Sequence, residues 1–295
     1  YDALSALLAQ QAGFEALYLS GASIAYTRLG RSDVGLTTAT EVVQTLSLIT
    51  ERVDLPVIVD ADTGFGNAMN VRRTFIEYAR AGASCVMIED QVSPKKCGHT
   101  PGRRVIPMAD MVLKIQVAVE ARRSRDFLII ARTDARTSLG LDEALRRAEA
   151  YAKAGADILF VESPESEEEM RRIASTLDKP LLANMVEGGR TPVLDNRTLE
   201  QIGYKIAIYP VTALLAAAQA MQAVYAQFKA TGHSAPPAAP LMPFGEMTEL
   251  MGFKEVWDFI EYESNKNFIW IYNESRLKDL KTKINTALET EEISW

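Results

Sequence analysis

The chain has 295 residues, of which 47% are hydrophobic and 24% charged, which is typical of a soluble globular protein large enough to bury a core. Its formal net charge of −7 gives no basic surface for nucleic acid, and its two cysteines exclude a disulfide framework. No uncharged apolar run is long enough to span a membrane and no secretory signal is visible, so we predict a cytoplasmic protein without membrane or nucleic-acid partners.

Short apolar runs alternate along the chain with longer helical patterns rich in alanine, glutamate, arginine and leucine. The runs are nearly all apolar rather than alternating, as in a parallel sheet that is buried on both faces. Glycines follow three of the helical patterns, at Gly82, Gly155 and Gly203, where helices commonly end. The candidate strands are 16–20, 56–60, 84–89, 127–131, 157–161, 180–184 and 205–209, and the candidate helices are 40–52, 68–81, 108–123, 141–154, 166–177, 198–202 and 212–230.

Seven strand–helix units are visible, and eight would close a TIM-type (β/α)8 barrel, which is the α/β fold that we predict. The first helical pattern starts directly at Tyr1, so we expect the first strand of the barrel to precede that residue. An open doubly wound sheet is the competing fold, but it calls for a glycine-rich phosphate loop after its first strand. Gly64-Phe65-Gly66 is too short a match and follows an acidic strand end.

The predicted barrel domain covers residues 1–230, and residues 231–243 form a proline-rich linker by composition. Residues 244–295 show helical patterns with many aromatic side chains, from Phe253 to Trp270 and beyond. This is too much apolar surface to leave in water. We therefore expect the C-terminal segment to pack on the barrel or on a neighbouring subunit.

Polar residues gather at the carboxyl ends of the candidate strands, where β/α barrels place their catalytic groups. Carboxylates dominate, and hard oxygen ligands around one point call for Mg²⁺ or Mn²⁺, which would relieve their mutual repulsion. Each residue alone has an ordinary alternative: Asp62 could cap a helix, and Arg132 with Asp134 could be a structural ion pair. Their joint placement at one rim favours a catalytic site. The strand-end residues are Tyr18, Ser20, Gly21, Asp60, Asp62, Glu89, Asp90, Arg132, Asp134, Glu162 and Asn184.

The loop after the candidate strand 84–89 combines two lysines, a thiol and an imidazole in Lys95-Lys96-Cys97-Gly98-His99. Neighbouring lysines favour thiolate chemistry, and Pro94 and Gly98 let the loop bend as a unit. The loop is too polar to be buried as core. Alone, the lysines could be a solvated charge pair and Cys97 an incidental exposed thiol. Cys85 lies in an apolar run and is predicted to be buried and inert.

These residues occur in phrases that resemble the isocitrate lyase and phosphoenolpyruvate mutase superfamily. The resemblance is greatest to its 2-methylisocitrate lyase, carboxyphosphonoenolpyruvate mutase and dimethylmalate lyase group, and it runs from Tyr1 to about Ala230. The lysine–cysteine–glycine–histidine phrase is highly specific when it follows the acidic phrases in this order. The matching phrases are Tyr18-Leu19-Ser20-Gly21-Ala22, Asp60-Ala61-Asp62-Thr63-Gly64-Phe65-Gly66, Ile88-Glu89-Asp90-Gln91, Lys95-Lys96-Cys97-Gly98-His99, Ala131-Arg132-Thr133-Asp134-Ala135 and Asn184-Met185.

The resemblance implies a Mg²⁺-dependent carbon–carbon lyase that cleaves a small 2-hydroxy di- or tricarboxylate, similar to 2-methylisocitrate or 2,3-dimethylmalate, to a 2-keto acid such as pyruvate plus a carboxylate. It also implies a homotetramer that exchanges C-terminal helices. The metal would be held by Asp60, Asp62 and Glu89, partly through water. Substrate contacts would come from Ser20, Gly21, Lys95, Gly98, His99 and Asn184, and catalysis from Cys97 as the acid, Arg132 as a clamp, and Tyr18, Glu162 or a metal-bound water as the proton acceptor.

The segment after Asn184 departs from the methylisocitrate lyases, in which the corresponding asparagine is followed by Thr-Glu-Phe-Gly. Here the residues are Val186-Glu187-Gly188-Gly189, which look more like carboxyphosphonoenolpyruvate mutases, dimethylmalate lyases and oxaloacetate hydrolases. Two enzymatic alternatives therefore stay open, a phosphonomutase that forms a carbon–phosphorus bond and an oxaloacetate hydrolase or decarboxylase. Phosphoenolpyruvate mutases lack the loop cysteine, so Cys97 argues against that subgroup. A catalytically silent barrel that binds keto acids is the alternative outside enzymes.

Overall fold

The computed structural model describes residues 1–98, 100 and 102–265. Its strands are parallel and follow chain order, with β1 to β5 in one sheet and β6 to β7 in a second. A parallel bridge between Leu159 and Leu181 links the two sheets. The strands are β1 (Leu17–Leu19), β2 (Val57–Asp60), β3 (Cys85–Glu89), β4 (Leu128–Thr133), β5 (Ile158–Val161), β6 (Leu182–Asn184) and β7 (Ile206–Ile208).

Helices connect successive strands, so each parallel strand starts from the same end of the sheet. All seven candidate strands and all seven candidate helices are present, and α2 and α6 are short additions that follow β1 and β4 directly. The helices are α1 (Ala3–Gln11), α2 (Gly21–Ile24, continued by a π-helical turn, Ala25–Leu29), α3 (Ala39–Thr50), α4 (Ala68–Arg80), α5 (Met108–Ala121), α6 (Ala135–Leu139), α7 (Leu141–Lys153), α8 (Glu167–Thr176), α9 (Asn196–Ile202), α10 (Thr212–Thr231), α11 (Phe244–Leu250) and α12 (Phe253–Asn265).

Local sequence explains where the helices near the site begin. Thr38 caps α3: its side chain accepts from the Glu41 N–H at 3.3 Å, and the Glu41 carboxylate accepts from the Thr38 N–H at 2.8 Å. Asn67 caps α4 in the same reciprocal way with Asn70. Such caps satisfy backbone donors that a helix start leaves unpaired, and each contributes about 1 kcal/mol. They fix the residues at which the loops end and helices α3 and α4 begin.

The apolar side chains of the barrel pack into two clusters. The smaller cluster contains Ile58, Met87, Ile130 and Phe160, which lie on one face of their strands. The larger cluster joins the other strand face to the helices, because successive residues of a strand point to opposite sides. Cys85 belongs to the smaller cluster and is 4% exposed, which confirms the prediction of a buried thiol.

The edges of β1 and β7 border an apolar cavity of about 690 Å³. Within the described residues, β1 pairs only with β2 and β7 only with β6. The cavity is lined by strand residues such as Leu19 and Ile206 and by helix residues such as Ala6 and Leu214. In the described part of the chain, backbone pairing therefore does not close the barrel between β1 and β7.

The chain divides into two compact units, Tyr1–Ser234 and Ala235–Trp295. The first unit holds all seven described strands. In the second, the rings of Phe253 and Trp257 lie 5.6 Å apart, and part of the predicted C-terminal segment falls outside the described residues. Among the described helices, none is both long enough and apolar enough to cross a bilayer.

Candidate active site

Asp60, Asp62 and Glu89 lie together at the carboxyl ends of β2 and β3 and are 7%, 6% and 1% exposed. The Asp62 N–H donates to Asp60 Oδ1 at 3.0 Å, and the Glu89 N–H donates to the Asp62 carbonyl at 2.9 Å. Burial, with Asp60 close by, raises the pKa of Asp62 to about 7 against the opposing charge of Lys95. Burial also raises the pKa of Glu89 well above its ordinary range. The cluster therefore holds three carboxyl groups out of water, where their joint ionisation is unfavourable without a bound cation.

Lys95 supplies part of the opposite charge. Its Nζ lies 2.8 Å from Asp62 Oδ1 and also pairs with Asp33 Oδ1. Lys95 is only 5% exposed, so the expectation that the loop is too polar to be buried is wrong for this residue. The two carboxylates replace the water around its ammonium group. Asp33 was not among the predicted site residues, because it follows a turn after α2 and not the end of a strand.

The acidic cluster fits a divalent cation that keeps part of its water shell. The four carboxyl groups of Asp33, Asp60, Asp62 and Glu89 face two cations, Lys95 and Arg132, so carboxyl groups are in excess. Glu89 Oε1 is buried without a hydrogen-bond partner among the described residues. No three His, Cys, Asp or Glu side chains in that part of the chain converge closely enough to enclose a bare ion. Mg²⁺ is commonly bound by one or two carboxylates directly while it retains several waters. The donor set therefore suits Mg²⁺.

Arg132 stands beside this cluster and is paired with Glu89 in the β3–β4 register. Its Nε lies 2.8 Å from Asp134 Oδ2 and 3.4 Å from Glu89 Oε2, and its Nη2 lies 3.3 Å from Glu162 Oε2. The guanidinium also lies over the Phe160 ring, 5.2 Å from its centroid. Burial opposes the charge, but the three carboxylates hold the pKa of Arg132 well above its usual value. Arg132 is therefore a fixed cation at the strand ends.

The loop from β3 to α5 brings Cys97 and Gly98 to the same site. A Cβ at Gly98 would lie 2.6 Å from Arg132 Nη2 and 2.8 Å from Glu162 Oε2, so the loop backbone rests directly on those side chains. The side chain of Glu162 accepts from Asn184 Nδ2 at 3.1 Å. The remaining cavity is small, about 60 Å³, and we call this position of loop residues 95–98 closed. It is lined by Tyr18, Ser20, Asp60, Lys95, Cys97, Gly98, Arg132, Glu162 and Asn184, among others.

Three further predicted residues, Tyr18, Ser20 and Gly21, lie in β1 or directly after it. Burial and the Asp60 charge raise the pKa of Tyr18 well above its usual value, and its hydroxyl lies 3.8 Å from Met87 Sδ. Ser20 Oγ accepts from the Ser23 N–H at 3.3 Å, and the Gly21 N–H donates to Asp60 Oδ2 at 3.2 Å. His99 lies outside the described residues.

Sequence reasoning did not single out the residues that hold the loop. Gln91 is 1% exposed and binds the Lys96 backbone twice, through Nε2 to the carbonyl at 2.8 Å and through Oε1 from the N–H at 3.0 Å. The Val92 N–H donates to the Arg104 carbonyl at 2.8 Å and closes the loop at its base. An amide side chain after a strand gives no pattern that would have revealed this role.

Asp90 is a structural centre behind the site. It is fully buried and accepts hydrogen bonds from Tyr151 Oη at 2.7 Å, Thr133 Oγ1 at 2.8 Å and Arg147 Nη1 at 3.1 Å. The Asp134 N–H donates to its other oxygen at 2.8 Å. Burial is the largest influence on Asp90 and raises its pKa. These bonds tie β3, β4 and α7 together and fix the backbone on which Glu89 and Arg132 stand.

Fold and site together define an α/β barrel enzyme, and comparison with known proteins gives its family. The family described as phosphoenolpyruvate phosphomutase matches residues 1–229, and the chain belongs to this family. A 2,3-dimethylmalate lyase from Eubacterium barkeri is 49% identical over 256 residues, which cover 87% of this chain and 89% of the relative. A 2-methylisocitrate lyase from Aeropyrum pernix is 48% identical over 255 residues, which cover 86% of this chain and 82% of the relative.

Solved structures agree. The crystal structure of a 2,3-dimethylmalate lyase, a member of the PEP mutase/isocitrate lyase superfamily, has a TM-score of 0.83 at 35% identity and covers 90% of this chain and 88% of its own. A phosphonopyruvate hydrolase in complex with oxalate and Mg²⁺ has a TM-score of 0.78 at 30% identity, with 87% and 89% covered. The comparisons confirm the predicted superfamily, the TIM-type barrel class and the prediction of a carbon–carbon lyase.

Proposed function

We propose that the chain is a Mg²⁺-dependent lyase for a small 2-hydroxy dicarboxylate with alkyl substituents, similar to 2,3-dimethylmalate, which it splits into a 2-keto acid such as pyruvate and a carboxylate. One observation carries the proposal: the Cys97 loop closes on Arg132 and Glu162, and the cavity that they share also reaches Asp60 of the acidic cluster. A proton donor, a fixed cation and a metal-binding group therefore face the same small volume.

The charged groups divide the work of binding. Arg132 is held by three carboxylates and can also bind a substrate carboxylate or the oxygen that gains negative charge, without changing its position. Bound among Asp60, Asp62 and Glu89, Mg²⁺ would supply positive charge to the oxygens of the hydroxy acid. Ser20 and Asn184 border the same cavity and can position the ends of the substrate.

Bond cleavage begins with loss of the hydroxyl proton, after which the carbon–carbon bond breaks and leaves a carbanion next to a carboxylate. Tyr18 is a poor acceptor for that proton, because its raised pKa keeps the phenol protonated at neutral pH. Glu162 is fully buried and directed at Arg132 and Asn184, so it is the better candidate among the described side chains. Cys97 would then deliver a proton to the carbanion and complete the carboxylate product.

The cavity walls favour a dicarboxylate over a tricarboxylate. Val186, Ile208 and Pro210 form an apolar side that suits methyl groups. The cationic side chains that line the cavity are Lys95, Lys96 and Arg132, and Lys95 is already paired with two aspartates. A third substrate carboxylate would therefore find little positive charge among the described residues.

A substrate panel tests the proposal. Purified protein with Mg²⁺ is mixed with 2,3-dimethylmalate, 2-methylisocitrate, malate homologues and oxaloacetate, and keto acid formation is followed over time. We expect the highest kcat/KM with 2,3-dimethylmalate or a close homologue. Turnover of oxaloacetate alone would favour the hydrolase alternative. Absence of turnover on every acid, together with carbon–phosphorus bond formation seen by phosphorus NMR, would replace the lyase with the phosphonomutase. Tight Mg²⁺-dependent keto-acid binding without turnover would favour the silent barrel.

The assembly is also proposed. α10 exposes Leu215, Met221, Tyr225 and Phe228 by 51%, 49%, 69% and 55%. Apolar surface of this extent on one helix supports burial against another subunit, in agreement with the expected homotetramer. Sedimentation analysis of the full chain tests this assembly.

We also propose the cytoplasm as the compartment, because a thiol such as Cys97 stays reduced there.

A further inference from the structure

Ser163 is a fully buried residue that follows Glu162 at the end of β5. Its φ of 60° is a left-handed conformation, which serine adopts only where its surroundings impose it. The conformation brings both its N–H and its hydroxyl to the rim: the N–H donates to Glu162 Oε1 at 2.7 Å. Strain at a buried polar residue beside the site suggests a role that packing does not explain.

The hydroxyl of Ser163 has two acceptors within reach and only one proton. Its Oγ lies 2.9 Å from the Gly98 carbonyl oxygen and 3.1 Å from Glu162 Oε1. The same oxygen accepts a hydrogen bond from Arg103 Nη2 at 3.4 Å. Glu162 Oε1 already accepts from the Ser163 N–H, whereas the Gly98 carbonyl lies closer to the hydroxyl. The Ser163 hydroxyl therefore donates to the Gly98 carbonyl, and its oxygen accepts from Arg103.

Gly98 adjoins Cys97, so this bond ties the thiol to the barrel. It is present with the loop resting on Arg132 and Glu162, the close approach that an added Cβ at Gly98 would prevent. A lifted loop would take the Gly98 carbonyl with it, and the Ser163 hydroxyl would then turn to Glu162 Oε1, 3.1 Å away. The Ser163 hydroxyl thus has an acceptor with the loop closed or open, but it bonds to the loop only in the closed position.

We propose that Ser163 is a positioning residue: its hydroxyl, oriented by Arg103, latches the loop that carries Cys97 in the closed position. The latch deepens the proposed function, since it would hold the thiol over the reaction centre during turnover. The latch is one hydrogen bond among the contacts that hold the loop, so its loss should shift the open–closed equilibrium by roughly three- to tenfold.

Alkylation of Cys97 measures the latch without any turnover. Native protein is treated with iodoacetamide, and the modification of Cys97 and Cys85 is followed separately by peptide mass spectrometry, with and without Mg²⁺ and oxalate. Cys85 is 4% exposed and serves as an internal control for general unfolding. Two variants remove the hydroxyl: Ser163→Ala, and Ser163→Gly, which tolerates the left-handed conformation if alanine impairs folding. Ser175→Ala removes an exposed serine hydroxyl from α8 as the matched control.

Both Ser163 variants should alkylate at Cys97 roughly three- to tenfold faster than wild type, and oxalate should protect them less. Cys85 should stay at the wild-type rate, and Ser175→Ala should match wild type at both positions. Wild-type reactivity of Cys97 in Ser163→Gly would overturn the latch, and so would an equal acceleration at Cys85, which would signify general loosening. Failure of the substrate panel with the expected alkylation pattern would refute the lyase and leave the latch standing.

Discussion

Arg103 donates to Asp134 Oδ1 at 2.6 Å inside the barrel rim, and neither side chain is exposed. Asp134 also accepts from Arg132, at 2.8 Å from Nε and 2.9 Å from Nη2. One carboxylate therefore binds the arginine at the base of the loop and the arginine of the reaction centre. The alternative considered from sequence, a structural ion pair between Arg132 and Asp134, is present, and it adjoins the site.

Asp134→Asn should lower the free energy of unfolding by about 3–5 kcal/mol, the usual result of breaking a buried ion pair. Burial alone would raise the pKa of Asp134, but Arg132 and Arg103 lower it below its ordinary value. A depressed pKa stabilises the fold above the unfolded value, near pH 4, and this contribution is lost as pH falls through the folded value. Urea unfolding at pH 7 and below pH 4 should show the deficit of the variant shrinking in acid. Asp54→Asn, an exposed control, should follow wild type.

Gly98→Ala tests whether the loop must rest on the site. The new Cβ would lie 2.6 Å from Arg132 Nη2, whose position Asp134 fixes, so the closed loop would have to shift. A displacement of about 1 Å can reduce turnover by about a hundredfold. Unfolding should change little, because the loop can open. Gly245→Ala adds the same methyl group where no atom lies within 4 Å, and it should keep full activity. Equal kinetics for both variants would contradict the closed position.

Cys97→Ser tests the proton donor. A hydroxyl is a far weaker acid than a thiol, so kcat should fall by about a hundredfold or more while the thermal midpoint stays unchanged. Steady-state kinetics on the preferred acid from the panel provide the measurement. Cys85→Ala is the control, since Cys85 lies in the core cluster away from the cavity and burial raises its pKa to about 12. Wild-type turnover in Cys97→Ser would remove the thiol from the mechanism.

Much of this architecture could be predicted from the sequence, because parallel strands leave apolar runs and the strand ends of a barrel converge. Asp60, Glu89 and Arg132 follow from that rule. Asp33, Gln91 and Ser163 do not, since each acts through a contact made by a loop, and loop contacts have no periodicity. The sequence of the loop does not reveal which carboxylates will pair with its buried lysine, Lys95.

Mg²⁺ should stabilise the protein if the acidic cluster binds it. Asp60, Asp62 and Glu89 are buried, and Lys95 and Arg132 offset only part of their charge. A bound cation would therefore relieve the remaining repulsion and favour the folded state by mass action. Thermal unfolding with and without millimolar MgCl₂ should show a higher midpoint with the metal. Asp60→Asn should abolish the rise, whereas Asp54→Asn should keep it. An unchanged thermal midpoint of the wild-type protein on addition of Mg²⁺ would exclude the cluster as a metal site.

An added strand should fit between β1 and β7. Their facing edges border an apolar cavity of about 690 Å³, and in the described part of the chain neither edge is paired on that side. An extended apolar segment there would satisfy backbone groups of both strands and bury side chains. Fusing a five-residue Val/Ile segment through a short linker ahead of Tyr1 should raise the thermal midpoint by several degrees, since about 1 kcal/mol shifts it by 2–4 °C in a protein of this size. The same fusion made of Ser and Gly should not. Equal midpoints for the two fusions would show that the gap does not accept a strand.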